Sequence, residues 1–314
     1  RDSPMPIYMG YASNTYTNIG EANNRGIEMN LEWRDKTESG FEYNVGVNMS
    51  TIRNRMTKLN GGTPISDGPF RNGSMYLTYT NEGMPIGAFW GYKTDGLIQT
   101  QEQLNAVKRA DFQPNAELGD VLFVDTNGDG KLDSSDRCMI GNPIPDIIYG
   151  INMGMAWKGF DLNLQFGGTI GNQIFNAMRY YTYFPNDITN KDRALMNYWT
   201  PNNTNTDIPR LTATDVNDND RFSDMYVENG TYFRLRNAQL GYTLPASLTQ
   251  RIKLQKVRFY VSGQNLFTIS SYSGMDPEVG QSSSLSRGID YGIYPQNISF
   301  TGGINAVSYT HLRA

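Results

Sequence analysis

Between Phe41 and Ser50 the chain changes character at every step: Phe41, Tyr43, Val45, Val47 and Met49 are apolar, while Glu42, Asn44, Gly46, Asn48 and Ser50 are polar or small. Successive side chains of a β-strand point to opposite faces, so this alternation predicts a strand with one apolar and one polar side. Ile151, Met153, Met155 and Trp157 repeat the pattern against Asn152, Gly154 and Ala156. Leu162, Leu164 and Phe166 do so against Asn163, Gln165 and Gly167, and Val257, Phe259 and Val261 against Arg258, Tyr260 and Ser262. Strands are predicted over residues 24–34, 40–57, 146–157, 160–170, 231–244, 254–270 and 297–306.

The connections between these strands alternate in length. Asp35–Ser39, Lys158–Gly159 and Pro245–Lys253 are short, whereas 58–145, 171–230 and 271–296 are long. Short turns at one end and long loops at the other are the habit of outer-membrane barrels, whose short turns lie on the periplasmic side. The expected fold is therefore all-β, a partial antiparallel transmembrane β-barrel of about seven strands with long extracellular loops. A soluble β-sandwich also alternates, but nothing in it calls for long excursions at one end only. Trp33, Trp157, Phe160 and Tyr242 fall beside the short turns, where they suit either an interfacial aromatic girdle or ordinary strand-end packing.

Composition agrees with strands and polar loops: aromatic residues make up 12% of the chain, Gly numbers 32, and no run approaches the roughly 18 apolar residues of a spanning helix. A net charge of -4 leaves no basic footprint for nucleic acid. Cys138 has no partner for an internal disulfide and reads as a small, inert residue, and a single His excludes His-rich zinc sites. No nucleophile elbow, phosphate loop or dinucleotide fingerprint appears, so no catalytic residue is expected. The chain opens at Arg1 without an initiator Met or signal peptide and reads as a fragment.

One segment carries explicit ligand chemistry. Asp125, Asn127 and Asp129 occupy positions one, three and five of a calcium-loop spacing, Gly130 the turn at six, Lys131 a carbonyl position at seven, Asp133 position nine and Asp136 position twelve. Calcium takes six to eight oxygens, and this set offers them, although Asp136 is shorter than the usual Glu. The alternative is an Asp/Asn/Gly turn held by its own hydrogen bonds. The loop would span 116–141, entered by a short strand at Val121–Val124 and lacking the flanking helix pair. Tyr180, Tyr181, Tyr183 and Trp199 are candidate ligand-stacking residues that could equally pack their loop against itself, and 190–199 could form a short amphipathic helix. Arg234 and Arg236 share one strand face, expected to be the lumen.

Asn18-Ile-Gly-Glu, Asn24-Arg-Gly-Ile-Glu-Met-Asn-Leu-Glu-Trp33, Gly83-Met-Pro-Ile-Gly-Ala-Phe-Trp-Gly-Tyr92, Asn229 through Pro245, Tyr260-Val-Ser-Gly-Gln-Asn-Leu-Phe267, Asp276-Pro-Glu278 and Tyr294-Pro-Gln-Asn297 follow one another along the chain. In this order they resemble the SusC/RagA group of TonB-dependent transporters. The resemblance implies a barrel of roughly 22 strands around an N-terminal plug. It further implies drive by TonB, outer-membrane lipid around the wall, a SusD-like surface lipoprotein as partner, and import of oligosaccharides or peptides. Residues 1–306 would be its C-terminal part, whose wall cannot close and must leave two exposed edges. Residues 307–314 depart from the family pattern and are expected to be a non-native tail. The runner-up reading is a secreted calcium-binding adhesin or glycan-binding module.

Overall fold

The computed structural model describes residues 2–3, 15–16, 20–59, 63–184, 190–280 and 283–308. Asn18 and Ile19 of the first resembling stretch, and residues 309–314 of the expected tail, lie outside them.

Seven strands form the wall: β1 (Glu28–Lys36), β2 (Glu42–Thr51), β3 (Ile147–Trp157), β4 (Phe160–Ile170), β5 (Tyr232–Thr243), β6 (Leu254–Ser270) and β7 (Ser299–Ser308). They pair in sequence order, each antiparallel to the next, and the free edges of β1 and β7 leave the barrel open. The register converts sequence alternation into rows. Trp33, Val45, Met153, Leu164, Ala238, Gly263 and Phe300 are successive partners across the whole sheet, an apolar row. Glu32, Gly46, Asn152, Gln165, Asn237, Gln264 and Ser299 form the adjacent row, and it is polar. On the other side of the apolar row stand Arg34, Asn44, Gly154, Asn163, Gln239, Ser262 and Thr301. Rows of the two kinds point to opposite faces because the pleat repeats every two residues. The apolar face is uncovered: Leu31 is 58% exposed, Val261 60% and Phe300 78%.

Each short turn has a local cause. Thr37 donates its backbone N–H to Phe41 O and accepts the Phe41 N–H on Oγ1, closing the first. Lys158 and Gly159 both take positive φ, 48° and 87°, as a two-residue hairpin turn with the native twist requires. The third turn winds through a helical segment, Ala246–Thr249, and a 3-10 turn, Gln250–Ile252, before Lys253 at φ 56° returns the chain to β6.

Two predicted strands are divided. The expected strand 24–34 breaks between Gly20–Arg25 and β1, and 40–57 breaks between β2 and Arg53–Leu59. The outer pieces, Gly20–Arg25 and Arg53–Leu59, pair with one another beyond the wall. The break sits where Gly26 meets the Thr51 carbonyl so closely that a Cβ would lie 2.0 Å from its oxygen, and the Ile27 N–H bonds to Thr51 Oγ1. At the other end of the wall, Val307 and Ser308 still pair with Lys256 and Leu254.

The long connections are structured. Ile65–Phe70, Met75–Thr80, Ala88–Gly91 and Cys138–Gly141 make a four-stranded sheet, and Gln173–Asn176, Val227–Asn229 and Ile289–Asp290 a three-stranded one. Helix α1 (Gln101–Arg109) starts at a capping box in which Thr100 and Gln103 exchange side-chain and backbone bonds. A single core joins all three connections, with Phe70, Leu77 and Phe89 from the first, Phe175, Phe222 and Tyr226 from the second and Ile289 from the third. Together they form a packed crown over one end of the wall. The short strand at Val121–Phe123 is present and pairs with Thr94–Leu97. The expected helix at 190–199 is only a 3-10 turn, Arg193–Asn197. Asp192 caps it at Ala194, and Trp199 leaves it to bond with Ile208 O.

Candidate functional site

The polar face of the wall carries a cluster of buried charge. Arg234 on β5 is 2% exposed. Its Nε donates to Thr268 Oγ1 on β6 at 2.8 Å, its Nη1 to Glu278 Oε2 at 2.9 Å, and its Nη2 to Asp276 Oδ1. Arg236 donates to Glu278 Oε1 and to the Tyr232 hydroxyl, each at 3.1 Å. A bulge in the β4–β5 and β5–β6 ladders at Arg236 lets both guanidiniums reach Glu278, while Arg234 alone also holds Asp276. Asp276 in turn accepts backbone N–H groups of Glu278 and Gln296. Burial pushes the Asp276 carboxyl up, but those two amides and the Arg234 guanidinium outweigh it and hold the group below its ordinary range. The Asp276-Pro-Glu278 stretch thus ties connection 271–298 into the wall. Near the short-turn end the same face holds a second pair, with Arg258 Nε donating to Asp161 Oδ1 at 2.9 Å. Sequence reading placed both arginines on one face but assigned them no partners, since Asp276 lies 42 positions from Arg234.

The aromatic candidates divide between two places. Tyr180, Tyr181 and Tyr183 lie together on the segment Ala177–Tyr183, and Tyr180 is buried. Its hydroxyl accepts from Arg71 Nη1 at 2.9 Å and donates to Asp220 Oδ2 at 3.2 Å, beside a cavity of about 520 Å³ that Tyr181 and Phe184 also line. Burial pushes the Tyr180 hydroxyl far above its ordinary range. Tyr183 lies under the Arg179 guanidinium, 4.8 Å from its ring centre. Trp199 belongs elsewhere, buried among Leu97, Phe112, Val121 and Phe123 with its indole N–H on Gln99 Oε1 at 2.9 Å. A wider cleft of about 860 Å³, lined by Thr94, Leu97, Gln99, Asn197, Asp224 and Met225 among others, had no signal in the sequence because its walls come from distant segments.

The acidic turn is closed by its own backbone. Asp125 accepts from Gly128 and Gly130 N–H, Asn127 from Asp129, Asp129 from Lys131, and Asp133 from Ser135. Asp136 is fully buried and accepts from Thr126 and Asp133. The Gly130 amide, and after it the Gly128 amide, hold the Asp125 carboxyl below its ordinary range. Among the described residues no group of three or more acidic, His or Cys side chains is drawn together as a metal-holding cluster. Cys138 is half-buried, and burial pushes its thiol up, away from the reactive thiolate.

Residues 2–135 match the family described as TonB dependent receptor-like, beta-barrel. Over 96% of its length the chain is 37% identical to TonB-dependent receptor P3 of Formosa agariphila, of which it spans 30%. It is 26% identical to TonB-dependent receptor SusC of Bacteroides thetaiotaomicron over 96% of the chain, spanning 28% of that protein. Among solved structures, the RagAB peptide importer in its open-open state superposes on 98% of this chain and 31% of its own, with a TM-score of 0.73 at 25% identity. The chain therefore spans less than a third of the relatives it matches.

Proposed function

We propose that this chain, which belongs to the TonB-dependent receptor β-barrel family, supplies part of the wall and the extracellular crown of an outer-membrane importer of oligosaccharides or peptides. The observation that carries this reading is the alternation of apolar and polar rows that runs across all seven strands. A secreted sandwich would have to cover its apolar face with a second sheet, whereas a barrel leaves that face to lipid and lines a water-filled interior with the other. The crown over the long-loop end is where a SusD-like lipoprotein would sit, and energy would arrive through TonB at the plug. Similarity to a structure described as a peptide importer supports the peptide class, and the sequence resemblance to the SusC/RagA group keeps oligosaccharides beside it. The test is uptake by cells lacking the full-length receptor, supplied in turn with labelled oligosaccharides and labelled oligopeptides, together with affinity purification of the intact barrel. Loss of import of one class and co-purification of a surface lipoprotein are expected. Unchanged uptake of both classes, or a receptor recovered in the soluble fraction, overturns the reading.

A second reading, of the acidic turn as a calcium clip, rests on the spacing of Asp125, Asn127, Asp129, Asp133 and Asp136, with only Lys131 to balance four carboxylates. Each carboxylate has lone pairs beyond those its backbone donors occupy, but binding requires the side chains to turn inward from their present contacts. Calorimetry on the intact protein is expected to show calcium uptake that Asp125→Ala with Asp129→Ala abolishes. Equal uptake by both, or none by either at millimolar calcium, leaves the segment a simple turn.

A further inference from the structure

The second and third short turns stand side by side, joined by the bond from Thr243 N–H to Gly159 O at 2.8 Å. Their outward rim is aromatic, with Trp157 46% and Phe160 54% exposed and the Phe160 and Tyr242 rings 4.5 Å apart. Lys158 extends along this outward side, its Nζ 4.4 Å from the Trp157 ring centre, instead of turning to the lumen. In the third turn Thr249 is fully buried, and its hydroxyl donates to Ala246 O within the helical segment. Leu248 and Ile252, four positions apart and so on one side of that turn, point away from the protein at 48% and 60% exposure. These two side chains add exposed apolar surface beyond the end of β5 and the start of β6. The charge there has one sign. Residues 157–160 and 244–256 carry Lys158, Arg251, Lys253 and Lys256 and no Asp or Glu, and the acids beside them on the polar face, Asp161 and Glu42, are held by Arg258 and Lys36. The first short turn differs, since Asp35 and Glu38 accompany Lys36.

We propose that this rim is a docking surface for anionic phospholipid in the leaflet at the short-turn side. Lys158, Arg251 and Lys253 take the phosphates, and Leu248 and Ile252 lie among the upper acyl chains. The argument is continuity with the lipid-facing rows combined with charge complementarity: apolar side chains beside unopposed basic ones bind the headgroup boundary, and long basic side chains run along apolar surface to reach it. The inference rests on the wall spanning a membrane and is independent of the cargo.

The test reconstitutes the full-length receptor in bilayer discs of phosphatidylethanolamine with phosphatidylglycerol as the minor component, and identifies retained lipids by native mass spectrometry. Wild type is expected to enrich phosphatidylglycerol, and enrichment is expected to fall roughly fivefold for each cation neutralised in Lys158→Gln, Arg251→Gln and Lys253→Gln. Lys158→Arg and Lys36→Gln are expected to keep it. No enrichment by wild type, equal enrichment by the triple variant, or an equal loss in Lys36→Gln overturns the proposal. Should the triple variant fail to assemble, added salt must release phosphatidylglycerol from wild type, and retention at high salt overturns it as well. A receptor that does not integrate into the bilayer refutes the membrane wall itself, whereas one that integrates without lipid preference refutes only this inference.

Discussion

Arg234 is the residue at which wall and crown are fastened, and its burial makes it costly to disturb. Replacing one member of a buried ion pair leaves the other without a counter-charge, a loss of about 3–5 kcal/mol. Arg234→Ala is therefore expected to free connection 271–298, seen as faster hydrogen exchange and new proteolytic cuts there, while β2 to β4 keep their protection. The same tie has a defined pH response. The folded Asp276 carboxyl lies below its unfolded value, so its contribution is complete above about pH 4 and is lost as pH falls through the folded value. Exchange in 271–298 should be steady from neutrality to about pH 4 and rise below it. Loosening that instead sets in between pH 7 and pH 5 would assign the transition to another group.

Among the elements, the crown depends on close packing that a single methyl group disrupts. Gly119 has φ +85°, and a Cβ on it would lie 2.2 Å from the Trp199 ring. Gly119→Ala must displace Trp199 from Leu97, Phe112 and Val121, an overpacking cost of about 1–3 kcal/mol beyond the backbone strain. Red-shifted tryptophan emission and a lower melting temperature for the crown are expected, with the wall's strand signal unchanged. The wall strands were legible because each has one face toward each of two solvents, and alternation records that directly. Most crown strands were not. In Met75–Thr80, Leu77, Thr78 and Thr80 are all buried, so the period of two disappears, and Pro69 and Gly68 break the pattern of the partner strand. Arg71 and Asn72 turn that hairpin with positive φ, and the Asn72-Gly73 dipeptide there is a local turn signal that sequence reading missed. Thr100 and Gln103 are a missed local signal, since a capping box can be read from sequence. The Arg234 to Asp276 tie could be glimpsed only as two conspicuous stretches. Its pairing depends on the bulge at Arg236 and on how the third long connection folds back.

On the scale of the whole molecule, the assignment of faces is the claim on which transport, lipid contact and crown position all depend. Asn163 and Leu164 are neighbours in the middle of β4, on a polar row and an apolar row respectively. Arginine at either position adds the same charge and nearly the same bulk, so only the surroundings of the two faces can separate the variants. Leu164→Arg places its guanidinium in the hydrocarbon, at a cost of about 2–4 kcal/mol near the bilayer midplane, whereas Asn163→Arg places it in a hydrated lumen that tolerates charge. Refolding of the full-length receptor into phospholipid vesicles, followed by urea titration, is expected to show that loss for Leu164→Arg and little change for Asn163→Arg. In a water-exposed sheet the Leu164 variant would lose little, because its new charge would remain solvated. The reverse ranking would turn the wall inside out. Equal stability of the two variants would remove the lipid-facing assignment, and with it the importer.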